Sequence, residues 1–193
     1  MNITNHRLVE CPFVESTNIG GMITPTVIVI HYTAGGKAEG SVSWLCNRDA
    51  GVSAHVVIDR DGSITQLVPF NVKAYHAGVS KWKDREMVNG FGIGIEIANW
   101  GKLREVNGKL YTGTDREFQG EAIQAAHKNG GAIRWWEKYT EAQIETVSEL
   151  CSELIGVYPL IEDIVGHDDI APDRKSDPGP AFPMKQLINK VFC

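Results

Sequence analysis

From residue 26 to 33 the chain reads TVIVIHYT, apolar and β-branched at consecutive positions. A run with no polar face predicts a strand buried on both sides. It stops at the glycine-rich turn AGGKAEG, after which Val42, Leu45 and Cys46 recur at helical spacing and predict a short amphipathic helix. Residues 53–68, SAHVVIDRDGSITQLV, predict two strands joined around Asp61-Gly62, and KAYHAG a short extended piece and turn. FGIGIEIANW, residues 91–100, is again strand-like, with glycines where a neighbouring group can approach closely. Residues 101–113 predict a second hairpin turning at Asn107-Gly108, and 118–128 a short helix ahead of Gly130-Gly131. A longer helix is expected from 140 to 158. Thr140 is its N-cap, and Ile144, Val147, Leu150, Cys151 and Leu154 form one apolar stripe facing the core. Residues 1–24 read as a polar, irregular arm, VGHDDIAPDRKSDPGPAF as a proline-rich loop, and 184–191 as a closing helix.

Strands that alternate with helices, interrupted by two hairpins, predict an α/β fold with a mixed central β-sheet flanked by helices. No repeat or linker divides the chain, so residues 1–193 are expected to form a single domain. A length of 193 residues suffices for an independent core. The balance of 19 Lys+Arg against 24 Asp+Glu, net −5, argues against nucleic-acid or anionic-membrane binding, which require a concentrated basic face. No stretch approaches the roughly 18 apolar residues of a membrane span. The opening MNITNHRLVECPFVES has neither the basic nor the apolar region of a signal peptide, so the expectation is a soluble protein made in the cytoplasm. Cys11, Cys46, Cys151 and Cys193 are scattered without a CxxC pair and are expected to be reduced, in or near the core.

Two of the six histidines stand in chemically suggestive places. His31 ends the buried strand, where open sheets place ligand sites. His167 opens a loop holding Asp168, Asp169, Asp173 and Asp177. Two neutral imidazoles and one carboxylate, with a fourth position left to water, form the ligand set of a catalytic zinc site. Such a set leaves the ion enough positive charge to lower the pKa of a bound water towards ~7. On spacing alone, any of the four aspartates could be the third ligand.

The stretches VIVIHYTAG, VSAHVVIDRDGSITQLV, AYHAG, GIGIEIANWG and VGHDDIAPDRKSDPGPAF carry a family resemblance. In this order they resemble the zinc-dependent N-acetylmuramoyl-L-alanine amidases, the group that includes peptidoglycan recognition proteins. The likeness is greatest to the anhydro-muropeptide amidases of the AmpD type and to prophage endolysins. It implies Zn2+ held by His31, His167 and Asp177, with Glu96 shuttling protons and Lys175 stabilising an oxyanion. It also implies that His76, Asn99 and Trp100 contact the substrate, a peptidoglycan strand or muropeptide. His55 is expected to be structural, and His6 and His127 to be surface residues.

Two departures qualify the resemblance. Ala54 stands where the recognition-protein branch has a catalytic tyrosine, which favours the Glu96/Lys175 pairing. Residues 100–136 look like an insertion relative to the compact AmpD type, with Trp100, Trp135, Trp136, Tyr111 and Tyr139 in it or at its edge. These aromatics suit either sugar stacking or core filling, and the segment tilts the expected substrate towards polymeric wall. Two rival functions follow from the same residues: a non-catalytic muropeptide-binding module, and a zinc peptidase cutting within the stem peptide.

Overall fold

The computed structural model describes residues 1–192, so Cys193 lies outside the described residues. The first half of the chain supplies four strands of the central sheet: β1 (Val27–Tyr32), β2 (Val56–Ile58), β3 (Ile64–Gln66) and β4 (Gly92–Ile97). The segment 102–137 supplies β5 (Lys102–Val106), β6 (Lys109–Tyr111), β7 (Glu117–Phe118), β8 (Ala122–Ala125) and β9 (Arg134–Glu137), and β10 (Asp163–Gly166) follows. The central sheet has the order β10-β1-β4-β2-β3. Its first four members run parallel and β3 is antiparallel to β2, giving the expected mixed sheet.

Alternation along the strands decides what each face meets. Ile28 and Ile30 of β1, with Ile93, Ile95 and Ile97 of β4, join Val147, Leu150, Cys151 and Leu154 of helix α2 (Glu141–Val157) in the main core. The intervening Val27 and Val29 pack on Ala77, Val88 and Phe91. Helix α1 (Ala38–Cys46) closes the β2 end through Ala38 and Leu45 against Val57, Leu67 and Val68. Both faces of β1 are therefore dry up to His31, as its unbroken apolar run requires. Helix α2 starts at the expected N-cap, where Thr140 and Gln143 form a reciprocal capping box. Helix α3 (His167–Ile170) leaves β10 directly, and α4 (Met184–Phe192) packs on α2 with Leu187 in the core.

Two expectations are corrected. Residues 118–128 form no helix. Ala122–Ala125 pairs antiparallel with Arg134–Glu137 instead, in a second five-stranded sheet of order β7-β6-β5-β9-β8. Cross-strand partners outweigh the helical preference of its alanines and glutamine. The hairpin at Asn107-Gly108 forms as expected, both residues taking positive φ (51° and 75°). The arm 1–24 is more ordered than its polarity suggests. Ile19–Met22 pairs with Val72–Ala74, and the buried Gln66 side chain accepts from Leu8 N and donates to the carbonyls of His6 and Val68. Cys11, Cys46 and Cys151 are free thiols, and Cys151 lies in the core.

Candidate active site

His31 is the fifth residue of β1, and alternation puts it on the face opposite Ile28 and Ile30. His167 is the first residue of α3, at the C-terminal end of the neighbouring parallel strand β10. The loop after α3 folds back, and Asp168 N donates to Asp177 O (2.8 Å), which brings Asp177 beside both histidines. His31 Nδ1, His167 Nδ1 and Asp177 Oδ2 form a triangle with edges of 2.9, 3.0 and 3.0 Å. All three residues are buried.

Of the four aspartates only Asp177 meets both histidines, and two of the others are engaged elsewhere. Asp168 faces His127 Nε2 (2.9 Å) and Lys128 Nζ (2.8 Å), and Asp169 accepts from Gly166 N (2.7 Å) and pairs with Lys128. Asp173 is exposed.

The donor set fits a divalent metal. His167 Nε2 lies 3.1 Å from the carbonyl of Ala77, which can only accept, so in the neutral ring Nδ1 presents a lone pair to the triangle. Burial holds the His31 imidazole down at about 4, keeping it neutral despite its contact with Asp177. Two imidazoles and a carboxylate converging on one point form a cradle for zinc or a similar ion.

Glu96 stands beside this cradle as the register partner of His31 on β4. Its Oε2 is buried and has no hydrogen-bond partner among the described residues. Burial, and then the charge of Asp177, push its carboxyl well above the ordinary value, with Lys175 pulling the other way. Lys175 lies in the loop between His167 and Asp177. Both Glu96 and Lys175 line a cleft of about 930 Å³ that opens over the triangle.

Other expected site residues divide. Trp100 lines the cleft. His76 also borders it, but both its ring nitrogens are engaged internally, with His31 Nε2 (3.0 Å) and the Gly92 carbonyl (3.2 Å). Asn99 does not fit a substrate contact. It is fully buried, its amide donating to the carbonyls of Glu137 and Lys138 (both 3.3 Å) and accepting from Gly101 N (2.7 Å), so it braces the turn that carries Trp100. His55 is structural as expected, buried with Nδ1 accepting from Gly94 N (2.9 Å) and Nε2 meeting the Val72 carbonyl (3.0 Å). Ala54 is buried and contributes only to packing.

His127 is not a free surface residue. It stacks on Trp136 (5.8 Å between centroids) and contacts buried Asp168, so a loop of the second sheet grips the turn bearing His167. Sequence reading also missed Tyr32, Trp44 and Arg116 on the cleft wall. Adjacency to His31 was a usable signal for Tyr32; nothing local marked Trp44 or Arg116. No helix among the described residues is long and apolar enough to cross a membrane.

A buried His-His-Asp cradle at the ends of parallel strands, with an unpaired glutamate and a lysine in one cleft, has the makeup of a metal-dependent hydrolase centre. Residues 22–180 match the N-acetylmuramoyl-L-alanine amidase family model. The 1,6-anhydro-N-acetylmuramyl-L-alanine amidase AmpD of Escherichia coli (strain K12) is 34% identical over 177 residues, covering 82% of this chain and 78% of that protein. Its namesake from Enterobacter cloacae is 41% identical over 132 residues, 68% of this chain and 52% of the relative, so the chain spans only about half of that protein. The structure of E. coli AmiD in complex with anhydro-N-acetylmuramic acid-L-Ala-D-γ-Glu-L-Lys superposes with a TM-score of 0.66 at 30% identity, covering 89% of this chain and 59% of that one. The chain belongs to the N-acetylmuramoyl-L-alanine amidase family, hydrolases of the amide between N-acetylmuramic acid and L-alanine.

Proposed function

We propose that this chain is a zinc-dependent amidase that releases intact stem peptide from N-acetylmuramic acid, acting on muropeptides of the 1,6-anhydro kind. The observation that carries the reading is the convergence of His31, His167 and Asp177 within 3.0 Å of one another, beside the unpaired Glu96 oxygen. These three residues would hold the zinc, which when bound supplies Lewis-acid polarisation of the scissile carbonyl and a water of lowered pKa. Glu96 takes the proton of the attacking water and returns it to the departing L-alanine nitrogen. A carboxyl raised above its ordinary value by burial suits that exchange near neutrality. The Lys175 ammonium faces the charge that develops on the carbonyl oxygen. Trp100 forms part of the wall against which the sugar or peptide rests.

The preference for small anhydro-muropeptides rests on the names of the AmpD relatives and on the complex of the similar AmiD. The test incubates the zinc-loaded protein with a soluble anhydro-muropeptide and, separately, with purified sacculi, and identifies products by mass spectrometry. The expected result is intact stem peptide with a free L-alanine amine, from the soluble substrate first, abolished by chelation and restored by zinc. Cuts within the stem would make the chain a peptidase. Binding without turnover would make it a recognition module. Release from sacculi alone would make it a wall-lytic amidase.

A further inference from the structure

His76 comes from the turn after the short strand Val72–Ala74, and its backbone is fixed from outside. Both His76 N and Ala77 N donate to the side-chain oxygen of Asn89 (3.0 and 2.8 Å). The ring lies flat in the slot that a side chain at position 94 of β4 would fill: a Cβ there would come within 2.4 Å of His76 Cγ. Gly94 therefore leaves room for an imidazole behind the cradle, on the face of the sheet that also carries Glu96 and His31.

The hydrogen bonds of this ring run in one direction. Its Nε2 is 3.2 Å from the Gly92 carbonyl, which only accepts, so Nε2 carries the hydrogen. His76 is buried and neither ring nitrogen meets a carboxylate, so the ring is neutral and its Nδ1 is left as an acceptor. The partner of that Nδ1 is His31 Nε2, at 3.0 Å, which must then donate. With its hydrogen placed on Nε2, His31 turns a bare Nδ1 lone pair towards His167 Nδ1 and Asp177 Oδ2. His55 meets the His76 ring edge-on but spends both nitrogens on the backbone, so it takes no part in this chain of donors.

We propose that His76 is a positioning residue which, anchored on the Gly92 carbonyl and seated over Gly94, holds His31 in the tautomer and orientation that binds the metal through Nδ1. This rests on the reading that His31, His167 and Asp177 hold zinc. It replaces the expected substrate contact of His76 with a role behind the ligand. A partner that orients a ligating histidine typically contributes 10–100-fold to metal affinity.

Zinc affinity measured by competition with a chromogenic chelator, without substrate, tests the proposal. His76→Leu is expected to weaken zinc 10–100-fold, while His76→Asn, which keeps an acceptor, recovers part of the loss. Gly94→Ala, which displaces the ring while leaving His76 in the chain, is expected to weaken zinc in the same direction. Tautomers read from ¹⁵N–¹H imidazole spectra of the unaltered zinc-loaded protein provide a check that needs no variant. Hydrogen on Nε2 of both His31 and His76 is expected, and hydrogen on His31 Nδ1 overturns the proposal. Unchanged zinc affinity in folded His76→Leu, with only KM raised, overturns it in favour of substrate contact. Failure of the unaltered protein to bind zinc removes the proposed metal function itself, a separate outcome.

Discussion

Glu96 and His31 are register partners on adjacent parallel strands, so the sheet itself sets the spacing between the unpaired carboxylate and the first histidine of the cradle. Neither position depends on a loop, and deleting the carboxylate should leave the ligand where it is. Glu96→Ala is expected to lower kcat by about 10²–10⁴-fold, the usual contribution of a general acid–base group. Zinc content by elemental analysis should remain that of the unaltered protein. Parallel loss of zinc would assign Glu96 to the metal instead of to proton transfer.

The same carboxylate should weaken the fold. Its carboxyl is pushed well above the ordinary value of 4.5, chiefly by burial. A group whose folded pKa is raised contributes stability that is complete below the unfolded value and is lost as pH rises through the folded one. In metal-free protein, Glu96→Gln is therefore expected to raise Tm at pH 7 and to change it little at pH 4. Thermal melts in chelator at the two pH values check this, and a lower Tm for the variant at pH 7 would contradict it.

Buried histidines give the opposite dependence. His31 and His55 are each held down at about 4 from an ordinary 6.5, in both cases first by burial. A depressed basic group leaves the unfolded state binding more protons in that window, so stability is complete above 6.5 and falls as pH drops towards about 4. Each such group contributes a slope of about 1.4 kcal/mol per pH unit within the window. Urea unfolding of the metal-free protein between pH 7 and pH 4 should show this loss, with proton uptake on unfolding. A flat profile across that range would show that the histidines are not buried in neutral form.

Local signals were the legible ones. The unbroken run around Val27–Tyr32, the Asn107-Gly108 hairpin and the Thr140/Gln143 cap each declare themselves within a few residues, and each forms. The second sheet was not legible, because Ala122–Ala125 is a strand only through its pairing with Arg134–Glu137. The resemblance pointed to Asp177, whereas spacing left four aspartates equal. Only the fold shows that Asp168 and Asp169 are engaged elsewhere, since Lys128 and His127 arrive from a segment some 40 residues away. The inward roles of Asn99 and His76 were hidden for the same reason: their partners, Glu137, Gly92 and His31, are brought to them by folding.

The grip of the second sheet on the turn bearing His167 is measurable. His127 Nε2 sits 2.9 Å from buried Asp168, and Asn129 donates to the Asp168 carbonyl (2.8 Å). His127→Ala leaves a buried carboxylate oxygen short of a partner, a loss of about 1–3 kcal/mol. Denaturant unfolding should register that cost, and zinc affinity should fall with it because His167 immediately precedes Asp168. Equal stability and equal affinity would reduce the contact to simple packing.

The second sheet also shapes the cleft, and here the glycine turn after β1 matters. A Cβ on Gly36 would lie 2.6 Å from Trp100 Nε1, so the indole rests directly against that glycine's backbone. Trp100 is held from below as well, its backbone N donating to the Glu137 carboxylate. Gly36→Ala must therefore push the indole out of place without touching the cradle, whereas Trp100→Ala removes it. Both variants are expected to raise KM for a muropeptide several-fold, with kcat and zinc affinity near those of the unaltered protein, because the ring forms part of the wall and not of the reacting centre. Steady-state kinetics on a soluble anhydro-muropeptide separate the two parameters. A fall in kcat with unchanged KM would place Trp100 at the scissile bond, and no change in either would make it a packing residue of the β4–β5 turn.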